Sequence, residues 1–117
     1  MTDPSNTNSD EVKAAVIARA LDAMWTRFLP DIKERVKLLE LAAQAATNGP
    51  LNNEACAGAQ SAAHKLAGTL GTFGLDRGTE LARKLDAIYA QGGIGPEQAV
   101  ELAEAARELR MIVNSRA

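Results

Sequence analysis

A single histidine, His64, stands among the 117 residues. A neutral imidazole is a good nucleophile near pH 7, because its unperturbed pKa is about 6.5. A lone histidine within a helix is most often a packing or surface residue, so its neighbours decide the matter. Ala57, Gln60, Ser61, Gly68 and Gly71 surround it on the helical projection, and all but Gln60 are small. At about 100° per residue, Cys56, Ala59, Ala63, Leu66, Ala67 and Leu70 share one arc, with His64 about 100° from its centre. The histidine thus belongs on the shoulder of the core stripe. Gly68 stands one turn after it, where mid-helix glycine costs about 1 kcal/mol relative to alanine. Clearance is the physical reading: another protein surface can approach this imidazole closely. In-line phosphoryl transfer asks little more of a nucleophile than position and access. Gln60, at i−4, is a candidate to reach the second ring nitrogen.

Other chemistries fit the residues less well. Cys56 is the one cysteine, so no internal disulfide and no cysteine-based metal site is expected; its alanine neighbours make it a small core residue. One histidine without a cysteine pair argues against a dedicated metal site. Glu101, Glu104 and Glu108 alternate with Arg107 and Arg110 as a solvated helix face laced with i,i+3 and i,i+4 pairs. Gly92-Gly93-Ile94-Gly95 is a helix–helix turn, too short for a nucleotide loop, so no autophosphorylation from ATP is expected. Net charge is −2 with no block of Lys or Arg, which disfavours nucleic acid. The first ten residues are polar, and no run approaches the ~20 apolar residues of a membrane span. The expectation is a cytoplasmic helical domain, monomeric and off the membrane.

The elements that must position His64 follow from hydrophobic period and punctuation. Residues 1–9 read as a polar lead or linker, and 10–117 as one domain. Ile17, Leu21, Met24 and Phe28 recur at i, i+4, i+7 and i+11, with Trp25 alongside, and Trp25 and Phe28 read as core or end-capping packing before Pro30 breaks or kinks the run. Ile32, Val36, Leu39 and Ala43 form one stripe of the next helix, and Leu38, Leu41 and Ala45 another. Asn48-Gly49-Pro50 ends it. A third helix, capped by Asn52 or Asn53, runs to about Leu70. Gly71, Gly74 and Gly78 loosen the chain before a fourth helix with Leu81, Leu85 and Ile88. Pro96 opens the last, with Leu102, Ala106, Leu109 and Val113 on one face. The predicted fold is all-α: an antiparallel four-helix bundle with an additional N-terminal helix.

The run Ala63-His64-Lys65-Leu66-Ala67-Gly68-Thr69-Leu70-Gly71-Thr72-Phe73-Gly74-Leu75 resembles the signature of histidine-containing phosphotransfer (HPt) domains. Those domains carry the accepting histidine on a helix, an apolar residue two on, a glycine four on, and then a small glycine-containing turn. The Gly-Thr-Phe-Gly stretch is also similar to the phosphotransfer domain of chemotaxis histidine kinases, and Leu81-Ala82-Arg83-Lys84-Leu85 to the family's next core helix. The resemblance extends from about Leu21 to Val113. It implies a phosphocarrier without its own ATP site. Its His64 would take a phosphoryl group from a receiver-domain aspartate, or from a sensor or hybrid kinase in trans, and pass it to another receiver. Mg²⁺, an acidic pocket and a Lys would come from the partner.

One position departs from the pattern. Many members have a Lys three residues after the histidine, and here that residue is Ala67. Lys65 projects about 100° from His64 and does not substitute for it. Gln60, Ser61, Lys65, Gly68, Gly71 and Lys84 are the expected supporting or docking residues, with Arg77 flanking Lys84, although the plainer reading of Arg77 and Lys84 is as solvated surface charges. A second reading is a catalytically silent bundle that only binds a receiver. A third is an accessory domain using His64 in cis within a larger regulator.

Overall fold

A computed structural model describes residues 4–116, with side chains from residue 9 onward. Four helices follow one another: α1 (Pro4–Thr47), α2 (Asn53–Thr72), α3 (Asp76–Ala90) and α4 (Pro96–Arg116). No strand occurs among the described residues. Short connections make successive helices antiparallel. α1 packs on α2 and α4, α3 packs on the same two, and the diagonal pairs stay apart, so the bundle is a closed ring.

The all-α bundle is as the sequence predicts, but the extra N-terminal helix is not separate. α1 is one continuous helix of 44 residues with Pro30 inside it. Residues 1–3 of the polar lead lie outside the described residues, and from Pro4 the chain is already helical. Pro30 is exposed on the outer face, where it leaves the Thr26 carbonyl to water. That interruption costs about 3 kcal/mol. It is outweighed by burial of Trp25 before it and of Ile32 and Val36 after it on the same stripe, at about 1.5–3 kcal/mol each.

The stripe predicted for the first part of α1 is out of phase. Trp25 is buried, whereas Ile17, Met24 and Phe28 are exposed. Trp25 meets Phe73 edge to face at 5.1 Å, and the Arg116 guanidinium lies over both rings. Farther along, Ile32, Val36, Leu39 and Ala43 enter the core as expected, while Leu38 and Leu41 do not.

The helix ends show why α2 and α3 lie where they do. Asn52 caps α2, its Oδ1 accepting from the Ala55 N–H at 2.7 Å. Gly71, expected in a loose segment, lies in the last turn of α2, and the turn is made at Gly74, whose φ is +69°. Gly78 lies within α3, where a Cβ would sit 3.0 Å from Leu70 Cδ1. That glycine lets α2 and α3 approach closely. At the other end of the bundle, the Leu51 N–H donates to the Ile94 carbonyl at 2.8 Å, and buried Ile94 plugs the core there.

Tyr89 is 2% exposed, and its hydroxyl has no hydrogen-bond partner among the described residues. Burial, with a smaller contribution from Cys56, pushes the phenol up to about 12 from 10.0. The neutral phenol is therefore favoured in the folded chain, and its contribution to stability is complete below pH 10 and lost as pH rises through about 12. Tyr89→Phe removes an unsatisfied buried polar atom. Thermal melts should show unchanged or raised Tm at neutral pH and a shallower alkaline decline than wild type.

Candidate functional site

Two helices converge on His64. In α2, Cys56, Ala59, Ala62, Ala63, Leu66 and Leu70 are buried. Ala62 joins the stripe and Ala67 is only half-buried, which turns the core arc farther from His64 than the sequence projection does. The His64 side chain is accordingly 78% exposed.

From α3 comes a residue that the sequence reading does not single out. Asp86 Oδ2 lies 3.0 Å from His64 Nδ1, with its side chain 23% exposed. Its helix is fixed by buried Leu81, Ala82, Leu85 and Tyr89, which leaves Asp86 on the edge facing α2. With the carboxylate accepting from Nδ1–H, the neutral ring carries its lone pair on Nε2, the nitrogen on the far side from Asp86. This pair takes the place expected of Gln60, whose side chain makes no hydrogen bond among the described residues; Ser61 makes none either. His64 and Asp86 lie equally far from Leu75 on either side of the turn. Register across a correctly placed turn is thus the signal that would have found Asp86.

Among the described residues, Gly68 has nothing outside its own helix backbone within 4 Å of the position its Cβ would occupy, so no packing among them requires glycine there. It borders a groove of about 500 Å³ between α1 and α2, lined by Met24, Phe28, Lys65, Gly68, Thr72 and Phe73 among others. Asp31 and Arg35 stand on the same groove. Phe28, expected in core or end-capping packing, is 40% exposed there. Gly71 lies on the other flank, where a Cβ would meet Thr79 Oγ1 at 3.7 Å.

Lys84 is not brought to His64. Its Nζ pairs with Glu101 Oε1 of α4 at 3.0 Å, whereas Asp86, about 200° farther round α3, faces α2. Arg77 likewise turns to α4, with its Nε 2.6 Å from Glu108 Oε2. That hydrogen bond, joined by a weaker one to Glu80, holds the guanidinium above its usual range. The same bond holds the Glu108 carboxyl below the usual carboxylate range. Both cations are surface ion pairs across the α3–α4 seam. Among the described residues no group of three or more His, Cys, Asp and Glu side chains is arranged to hold a metal, and no helix is long and apolar enough to cross a membrane.

Neither a curated protein nor a solved structure matches the chain. A family model described as the Hpt domain matches residues 23–115, a span that opens where α1 enters the bundle and holds both His64 and Asp86. The chain belongs to the Hpt domain family.

Proposed function

We propose that His64 is the phosphoacceptor of a phosphorelay, taking a phosphoryl group from a receiver-domain aspartate or a kinase in trans and delivering it to another receiver aspartate. Histidine phosphotransfer in two-component signalling is the family's role, and its members are phosphocarriers that work with receiver and kinase domains. The observation that carries the assignment to this residue is an exposed imidazole whose Nδ1 is held by Asp86 at 3.0 Å.

The chemistry follows from that hydrogen bond. The Nε2 lone pair attacks phosphorus in line, an N–P bond forms, and the P–O bond to the receiver aspartate breaks to release its carboxylate. The Nδ1 proton stays between the ring and Asp86, which offsets the positive charge growing on the imidazole. Transfer onward reverses these steps. Mg²⁺ and the Lys that neutralises the moving phosphoryl group belong to the receiver's side of the encounter. The groove beside Gly68, with Phe28 and Met24 exposed on its far wall, supplies an apolar footing for the receiver within reach of His64. Ala67 puts no cation on this surface, and Lys65 is the basic residue of α2 nearest the groove.

Incubation with a panel of phosphorylated receiver domains and Mg²⁺ tests the proposal. The expected product carries acid-labile, base-stable phosphate that peptide mapping places on His64. A receiver that binds but never labels the protein would instead establish the binding-only bundle, with Ala67 as the first residue to change. Label on any other residue would also overturn the assignment.

A further inference from the structure

Two contacts fix the register between α2 and α3. His64 meets Asp86 at 3.0 Å, and two turns farther along α2 a Cβ on Gly71 would meet Thr79 Oγ1 at 3.7 Å. Ala67 lies three residues after His64 and four before Gly71, while Arg83 lies three before Asp86 and four after Thr79. Ala67 and Arg83 therefore stand opposite each other across the seam, one turn from the imidazole. Arg83 also borders a hollow of about 370 Å³, together with Gly71, Asp76, Thr79 and Glu80.

Arg83 is the cation of α3 left without an acid. Arg77 and Lys84 pair with Glu108 and Glu101 of α4, whereas exposed Arg83 makes no ion pair among the described residues. Both acids within one turn of it are engaged, Glu80 by Arg77 at 3.3 Å and Asp86 by His64. Asp76 lies about two turns away, in the first turn of the helix. Arg83 is set about 60° outward of Asp86 round α3. Ala67, half-buried and no larger than a methyl group, leaves room for a guanidinium along the seam. Lys65 points to the opposite shoulder of α2, into the groove with Met24 and Phe28.

A phosphoryl group on Nε2 would bring a charge of about −1.5 to −2 close to the Asp86 carboxylate, and the ring cation offsets only one unit of that total. A docked receiver covers the excess with its Mg²⁺ and Lys, but once it leaves, this chain must cover it alone. Resting on the assignment of His64 as phosphoacceptor, we propose that Arg83 is the phosphoryl-binding residue of the site. Its guanidinium donates to the phosphoryl oxygens on His64 and stabilises the phosphorylated form between encounters with receivers. A planar fork of N–H donors suits phosphate better than a point charge does.

Phosphoramidate, a small donor, tests this on the full chain without a receiver: the Nε2 lone pair forms the N–P bond, the donor's own P–N bond breaks, and ammonia leaves. Labelling should be about 3- to 10-fold slower in Arg83→Gln than in wild type, an effect between that of an exposed ion pair and that of a hydrogen bond to a charged group. Arg83→Glu should be slower still, and Arg83→Lys should retain most of the rate. Lys84→Gln loses the same charge from the α4 side of the helix and should label like wild type. Ala67→Lys, added to Arg83→Gln, should restore part of the rate by returning a cation to the same place from α2. The Arg83 Nε–H resonance should move when the wild type is phosphorylated, and circular dichroism checks that each variant is folded. Equal rates in wild type and Arg83→Gln would overturn the proposal, as would an Arg83 resonance indifferent to phosphorylation. An equal loss in Lys84→Gln would also overturn it, since net charge alone would then explain the effect. The expected order with phosphoramidate, but no label from any phosphorylated receiver, would leave this contact standing and overturn the relay instead.

Discussion

His64→Gln is expected to abolish phosphate incorporation from a phosphorylated receiver, a fall of at least about a thousandfold, as when a nucleophile is removed. An amide nitrogen has no lone pair free to form an N–P bond. The fold should not notice the change. The side chain is 78% exposed, surface substitutions usually stay within about 0.5 kcal/mol, and the glutamine NH₂ retains a donor for Asp86. Receiver affinity, read by calorimetry or surface binding, should change by no more than about threefold if the contact rests on the apolar groove rather than on the imidazole. Chemistry and docking are thereby separated in one variant. Equal labelling of wild type and His64→Gln would remove His64 from the mechanism. Equal absence of labelling, with receiver binding intact in both, would favour the silent bundle.

The sequence reached His64 because rarity and context agree there: one histidine, small neighbours, and a helix-costing glycine one turn on. The structure sharpens the argument from Gly68, since among the described residues no neighbouring side chain or other helix fills the space that glycine leaves. Asp86 escaped for a physical reason. Gly71 and Gly78 read as a loose segment, yet both lie inside helices, and Gly78 is glycine because Leu70 occupies the space beside it. With the turn misplaced, no register across α2 and α3 could be drawn. Lys84 and Arg77 were candidates through type alone, and helical direction sends both to acids on α4. Pro30 failed as a boundary because burial on both sides of it exceeds the cost of one missing hydrogen bond. The phase error in α1 has a similar origin. Ile17, Met24 and Phe28 keep a helical period of their own, and period alone does not say which of two apolar stripes meets the core. Only the packing of Trp25 against Phe73 decides it.

Asp86→Ala is expected to slow transfer to His64 by about 10- to 100-fold while leaving Tm nearly unchanged. A hydrogen bond to a charged group contributes about 1.5–3 kcal/mol, and each 1.36 kcal/mol of barrier is about tenfold in rate. The full contribution is felt when the ring becomes cationic on phosphorylation, so the loss should fall on the rate rather than on receiver binding. Asp86→Asn gives a sharper test. An asparagine oxygen can still accept from Nδ1–H, but its NH₂ can also donate to Nδ1, which places the ring proton on Nε2 and removes the attacking lone pair. Transfer in Asp86→Asn should therefore be impaired even though a hydrogen bond remains, and Asp86→Glu should recover part of it. Nitrogen chemical shifts of the His64 ring read the tautomer directly: the Nδ1–H form should dominate in wild type and lose that dominance in both Asp86→Ala and Asp86→Asn. A purely structural role for Asp86 would leave the tautomer unchanged and lower Tm instead. Unchanged transfer rates with an altered tautomer would mean that the receiver, on docking, orients the imidazole by itself.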